Sequence, residues 1–148
     1  MTVFLDKALP TMTTGLDLNH YALIGGYLDS SQQAQECAIM LDTRFNCKSF
    51  AARKALAPKL KALADAIQSS NEGVLTFMVF DSLDDELSGR IFARFTSRRD
   101  MDKHLRRKEV VGFWLGAKEK VDKMESRAYL PNRKGWLHRE VTINGAKL

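Results

Sequence analysis

The sequence predicts an α+β domain in which strand, helix, strand, strand, helix and strand follow one another through residues 36–130. Three observations predict it. Residues 36–46 alternate apolar and polar side chains with a period of two, the mark of a half-buried strand. Residues 49–69 repeat their apolar positions at helical spacing. Two β-rich runs, 74–81 and 88–95, flank a short acidic turn and read as a hairpin.

Taken in order, the first strand places Cys37, Ile39, Leu41 and Phe45 on one face. Asp42, Arg44 and Asn46 fall on the other, with Ala38 and Met40. Ser49 is the N-cap candidate for the helix, whose stripe is Phe50, Leu56, Leu60, Leu63 and Ile67. Pro58 inside that stripe is expected to kink or restart it, because proline removes a helix hydrogen bond. Ser69, Ser70, Asn71 and Gly73 end the helix. The second strand, VLTFMVFD, is apolar on both faces and calls for cover on both. Residues 83–86 turn, and SGRIFARF returns as the third strand. Ser97 caps a short helix turning Met101 and Leu105 inward. A second helical piece over 109–118 carries Val110, Phe113, Trp114 and Ala117 on one side. Residues 120–130 alternate again as the fourth strand, with Met124, Ala128 and Leu130 inward, and Pro131 stops it.

This is the split βαβ, ferredoxin-like order: a four-stranded antiparallel sheet with its helices on one face. The other face still carries Leu and Phe from the second strand, a patch too apolar for water. Two such sheets facing each other, as a homodimeric α/β barrel, would cover it, and so would a covering segment. Residues 1–35 form an N-terminal extension and 131–148 a C-terminal one. In the first, YALIGGYLD (21–29) reads as a strand bent by Gly25 and Gly26. It would add to a sheet edge, cover the open face or reach into a partner. The second carries Trp136, Leu137, Val141 and Ile143, too many apolar residues for a free tail.

The 148 residues suit one domain, and 45% hydrophobic with 28% charged residues describes an ordinary core and surface. No apolar run approaches the ~20 residues of a membrane span. Residues 1–19 contain Asp6 and Lys7, lack arginine and have no apolar core, so neither a secretory signal nor a transit peptide is expected. The expected location is the cytoplasm. Cys37 and Cys47 would lie about 33 Å apart along a strand, far beyond the ~7 Å a disulfide tolerates. No CxxC or Cys/His cluster points to a metal. The net charge of +5 and the pI near 9.3 concentrate at 98–108 and 133–139, with acidic residues interrupting the first cluster. No nucleic-acid motif accompanies them, so the expected reading is a solvated helix face and a basic tail.

Several short motifs, in order, resemble the antibiotic biosynthesis monooxygenase family. Asn71–Phe77 (NEGVLTF) is similar to the family's E-x-G entry to its second strand. Pro58 in LAPKLKALADAI matches a proline common in its first helix. FARFTSRRDMDKHL (92–105) is similar to its third-strand exit followed by a histidine, here His104. The resemblance covers about residues 36–130. It departs where the family often has glutamate and tryptophan, which here are Ala93 and Phe95. What it implies is a homodimeric, cofactor-independent monooxygenase that oxidises an electron-rich aromatic, quinol or polyketide-like molecule with dioxygen. No phosphate-cradling loop is evident, since Gly25–Gly26 is not GxGxxG. An isomerase or cyclase, a heme-binding protein and a non-catalytic ligand-binding dimer are the alternatives.

His104 is the candidate base, titrating unperturbed at about pH 6.5; its alternative is a place on an exposed basic helix. Asp42, Arg44 and Asn46, on the non-core face where a barrel cavity would lie, are candidates to hydrogen-bond a substrate oxygen or to make a dimer contact. Arg90 and Arg94 share a face with Phe92, expected as a solvated ladder, with Arg94 a candidate for an anionic substrate. Phe77, Phe80, Phe92, Phe95, Phe113 and Trp114 supply aromatic surface for core or for a planar ligand. Trp114 is the first candidate among them, and Tyr129 is a candidate proton donor.

Overall fold

The structure, a computed structural model, describes residues 18–29, 36–70 and 72–132. The expectations for residues 1–17 and 133–148 lie outside these. The described elements run β1 (Tyr21–Tyr27), β2 (Ile39–Cys47), α1 (Phe50–Ser70), β3 (Val74–Ser82), β4 (Ser88–Phe95), α2 (Arg98–Leu105), α3 (Lys108–Ala117) and β5 (Val121–Tyr129). The expected strand–helix–strand–strand–helix–strand order is present as β2 to β5. Among the described residues the sheet has five strands rather than four, in the order β1-β3-β4-β2-β5, with every pair antiparallel.

The additional strand is the glycine-bent segment, which takes the first of its three expected places, an edge of the sheet beside β3. Its register slips between Leu23 and Gly25. Gly25 then lies against Lys61 of α1, where a Cβ would approach the Lys61 side chain to 3.3 Å. Gly26 has a φ of 101°, and a Cβ there would run into the carbonyl oxygen of Phe77. The two glycines thus serve different needs: one lets the helix come close, the other lets the strand bend.

Helix α1 starts where Ser49 Oγ accepts a hydrogen bond from the Ala52 N–H (3.1 Å). It buries Leu56, Leu60, Leu63, Ala64 and Ile67 as the stripe requires. Phe50, expected on that stripe, is exposed at the first turn. Pro58 does not restart the helix, which continues unbroken to Ser70. Pro58 and Lys54, four residues earlier, are both exposed, so water can satisfy the Lys54 carbonyl that proline leaves without an amide. Helix α2 is capped by Ser97, which accepts from the Asp100 N–H (3.0 Å). The Asp100 carboxylate accepts in turn from the Ser97 and Thr96 hydroxyls, which hold its pKa below the usual carboxylate range. Gly73, at φ 67°, leaves room for that carboxylate; a Cβ would lie 2.5 Å from Asp100 Cγ.

The core fills the space between the sheet and its helices. Phe45, Leu56, Leu60, Ile67, Val74, Val79 and Phe95 are fully buried there. Phe45 of β2 lays its ring on Gly89 of β4, its cross-strand partner, in space that any side chain at 89 would need. The helix layer stops short of β5. Met124, Ala128 and Leu130, expected inward, are exposed instead, at 53% and 77% for Met124 and Leu130.

Gly26→Ala is expected to lower unfolding free energy by about 1–3 kcal/mol in denaturant titration, because both its φ and its contact with Phe77 are denied to alanine. Wild-type stability in this variant would show that the strand is not bent as described.

Candidate active site

A small cavity lies between the sheet and the three helices, with a volume of about 30 Å³. Leu41 and Thr43 of β2, Phe77 of β3, His104 of α2 and Trp114 of α3 line it, with Leu63, Ile91, Ala93, Leu105 and Val110. That volume holds roughly one or two water molecules.

His104 is the titratable residue in the cavity lining. It is one of two buried residues on α2, three positions from Met101, whereas the arginines and Lys103 of that helix face solvent. Only 4% of it is exposed, so the alternative of an exposed basic helix position does not hold. Its ring centroid lies 5.2 Å from that of Phe95 and 5.6 Å from that of Phe77. Its Nδ1 is buried with no hydrogen-bond partner among the described residues. Burial, and secondarily the Arg107 charge, push its pKa down to about 4. At neutral pH it is therefore a neutral imidazole against aromatic rings. A buried unpaired polar atom costs about 1–3 kcal/mol, and such an atom in a native fold calls for an explanation. Trp114, half-buried, stands edge-on to Phe45 (6.0 Å) and Phe113 (5.0 Å).

Thr43 joins this set although the candidates read from the sequence omit it. Its hydroxyl shares a 2.7 Å hydrogen bond with Ser126 of β5, its register partner. The signal was present in the chain: Thr43 alternates with Leu41 and Phe45, so it is the polar residue on an otherwise apolar face.

The remaining candidates lie on the opposite face of the sheet. Asp42, 5% exposed, receives two hydrogen bonds from Arg90, from Nε at 2.6 Å and Nη2 at 2.9 Å. Arg44 approaches the same carboxylate at 3.7 Å. The guanidinium of Arg90 also sits 5.4 Å above the Tyr21 ring, and its bonds to Asp42 raise its already high pKa. Asn46 donates to Ser88 Oγ at 2.9 Å and, more weakly, to Asp85. Arg94 is not part of a solvated ladder. It is 4% exposed, donates to Thr76 Oγ1 at 3.3 Å and lies 3.9 Å from Asp29. Tyr129 is exposed on β5, and Phe92 and Phe80 are partly buried on the open face. The fold therefore brings Phe77 and Phe95 to His104, with Trp114 lining the same cavity, and separates Asp42, Arg44, Asn46, Phe92, Arg94 and Tyr129 from it.

Both cysteines are free thiols, and burial pushes that of Cys47 up. Among the described residues no group of three His, Cys, Asp or Glu side chains could hold a metal, and no helix is long and apolar enough to cross a membrane.

No protein-family signature and no curated protein sequence matches the chain. Solved structures do. A protein of Deinococcus radiodurans, provisionally named an antibiotic biosynthesis monooxygenase, superposes with a TM-score of 0.61 at 18% identity, over 68% of this chain and 99% of that one. The chain has the antibiotic biosynthesis monooxygenase fold. A Nitrosomonas europaea protein with the same provisional name aligns at TM-score 0.57 and 14% identity, over 64% of this chain and 98% of its own. A Mycobacterium tuberculosis protein aligns at 0.59 and 19%, over 66% and 98%. Identities this low speak for the monooxygenase fold alone, and the site has to be argued from the residues of this chain.

One consequence of the buried imidazole is a pH-dependent stability. An unfolded histidine takes up a proton near its ordinary value of 6.5, whereas folded His104 does so only at about 4. Between those values the unfolded state binds more protons, so stability falls as pH drops through this window and levels off below it. The full loss is roughly 3 kcal/mol. Denaturant titrations at pH 7 and pH 4 should show that loss in the wild type and little of it in His104→Gln. Equal losses in both proteins would place His104 in water.

Proposed function

We propose that this protein is a cofactor-independent monooxygenase acting on an electron-rich aromatic, quinol or polyketide-like small molecule. The observation that carries the proposal is His104, a buried neutral base with an unpaired nitrogen in an aromatic-lined cavity. The reaction would insert one oxygen atom at an activated methylene, CH₂ + O₂ giving C=O and H₂O. Proton removal from the substrate produces an anion rich enough to pass an electron to dioxygen, and the protein's task is to make that anion. His104 would take the proton. A base of pKa about 4 is weak in the empty cavity, but imidazolium and substrate anion formed together stabilise each other in apolar surroundings. The Arg107 charge, which disfavours protonated His104, favours the anion for the same reason.

A planar aromatic exceeds a cavity of about 30 Å³, so ligand entry requires α2 and α3 to move off the sheet. The site would work in the cytoplasm on a diffusing small molecule, with neither nucleic acid nor membrane as partner. The open face supports a homodimer as well. Leu23 is exposed there, Met40, Met78, Phe80 and Phe92 are only partly buried, and Arg44 and Tyr129 would become contacts between copies. Sedimentation equilibrium should give twice the chain mass, and Phe92→Glu should return a folded monomer; a wild-type monomer at tens of micromolar ends the dimer proposal.

Oxygen uptake tests the activity. Metal-free, flavin-free protein is expected to consume dioxygen with some member of a panel of anthrones, naphthols and quinols, and His104→Gln to slow uptake by about 10²-fold. Undiminished uptake in the variant would remove His104 as base. Turnover of these compounds without oxygen uptake would instead favour an isomerase or cyclase using the same base.

A further inference from the structure

We propose that Thr43, backed by Ser126, is the hydroxyl contact for the oxygen on which substrate charge collects, which narrows the substrate to a molecule whose acidic position is conjugated to an oxygen. The inference rests on the reading of His104 as the base. Removing a proton from an activated methylene leaves its electron pair behind, and a carbonyl or ring conjugated to that carbon carries the charge to its oxygen. Negative charge there needs a hydrogen-bond donor where little water reaches. Among the described residues Thr43 brings the one hydroxyl to the cavity lining. It stands on the sheet wall, on β2, whereas His104 stands on the helix wall, on α2. A molecule lying between them meets a proton acceptor from one wall and a hydroxyl from the other.

The bond to Ser126 makes Thr43 adaptable. The two hydroxyl oxygens lie 2.7 Å apart, and either can be the donor. Each hydroxyl has one hydrogen to give and two lone pairs to accept with. When Ser126 donates to Thr43, the Thr43 hydrogen is left for an anion in the cavity. When Thr43 donates to Ser126, its lone pairs are left for a neutral hydroxyl there. Ser126 is exposed, so water meets its needs in both arrangements, whereas Thr43 is buried. Rotation of two hydroxyls, with no bond broken, thus serves the substrate oxygen before and after proton loss. A Thr–Ser pair across two strands also stabilises a sheet, but that role alone predicts no effect on the ionisation of a bound ligand.

Titration of the full chain with 4-nitrophenol tests the contact without turnover or dioxygen, because the phenolate is yellow and the phenol colourless. The wild type is expected to bind the phenolate in preference to the phenol. Thr43→Val is expected to weaken phenolate binding about tenfold, with phenol binding little changed, and Thr43→Ser to restore it. Ser126→Ala, at an exposed position, is expected to lose part of the preference and decides the matter if Thr43→Val does not fold. A wild type without phenolate preference, nitrophenol left unbound included, overturns the proposal. So does a preference in Thr43→Val or Ser126→Ala equal to that of the wild type. Failure of the oxygenase reading looks different: no oxygen uptake with any compound, beside a phenolate preference that Thr43→Val removes, which leaves the contact supported.

Discussion

The alternation of β2 and β4 at the centre of the sheet is the constraint from which the rest of the structure follows. Leu41, Thr43 and Phe45 face Ala93, Ile91 and Gly89 in register, while Asp42 and Arg44 face Phe92 and Arg90. A strand changes face at every residue, so these two sets cannot mix. Helices collect on the side of Phe45 and Ile91. The bidentate Asp42–Arg90 pair occupies the other, where hydrogen bonds and the Tyr21 ring offset the loss of water around its charges.

From that division comes the character of the cavity. It lies on the helix side, where the strands contribute Leu41, Thr43, Phe77, Ile91 and Ala93, so its chemistry has to be supplied from above. Helix α2 contributes an imidazole. It buries Met101 and His104, with Leu105 also at the cavity, and His104 comes to rest by the rings of Phe77 and Phe95. Burial makes the imidazole neutral, and the same burial would strengthen its pairing with an anion formed next to it. Stability and the proposed reactivity draw on one feature here, and they oppose each other: a buried imidazole with an unpaired nitrogen weakens the fold, and the proposed chemistry calls for that imidazole as its base.

The departures from the family pattern fit this geometry. Ala93 stands where the resembling family often has glutamate, and it lines the cavity with a methyl group. Phe95 stands where tryptophan is common, and it packs on His104. Ala93 leaves its part of the cavity wall apolar, and His104 and Thr43 bring polar side chains to the lining.

By itself the sequence determined the strands, the helices and their order, because period-two and period-3.6 patterns, caps and glycines are local properties of the chain. Ser49 and Ser97 mark helix starts and Gly25–Gly26 marks a bent strand whatever surrounds them. Tertiary structure decided which groups meet. Alternation shows that Asp42 and Thr43 point opposite ways, but only the placement of α2 and α3 makes the side of Thr43 the side of His104. Arg94 reads as a solvated charge and is buried, because its neighbours are Thr76 and Asp29 from distant parts of the chain. Met124 and Ala128 read as core and are exposed, because α3 ends before it covers β5. Each of these depends on contacts between residues far apart in sequence, which no window along the chain contains.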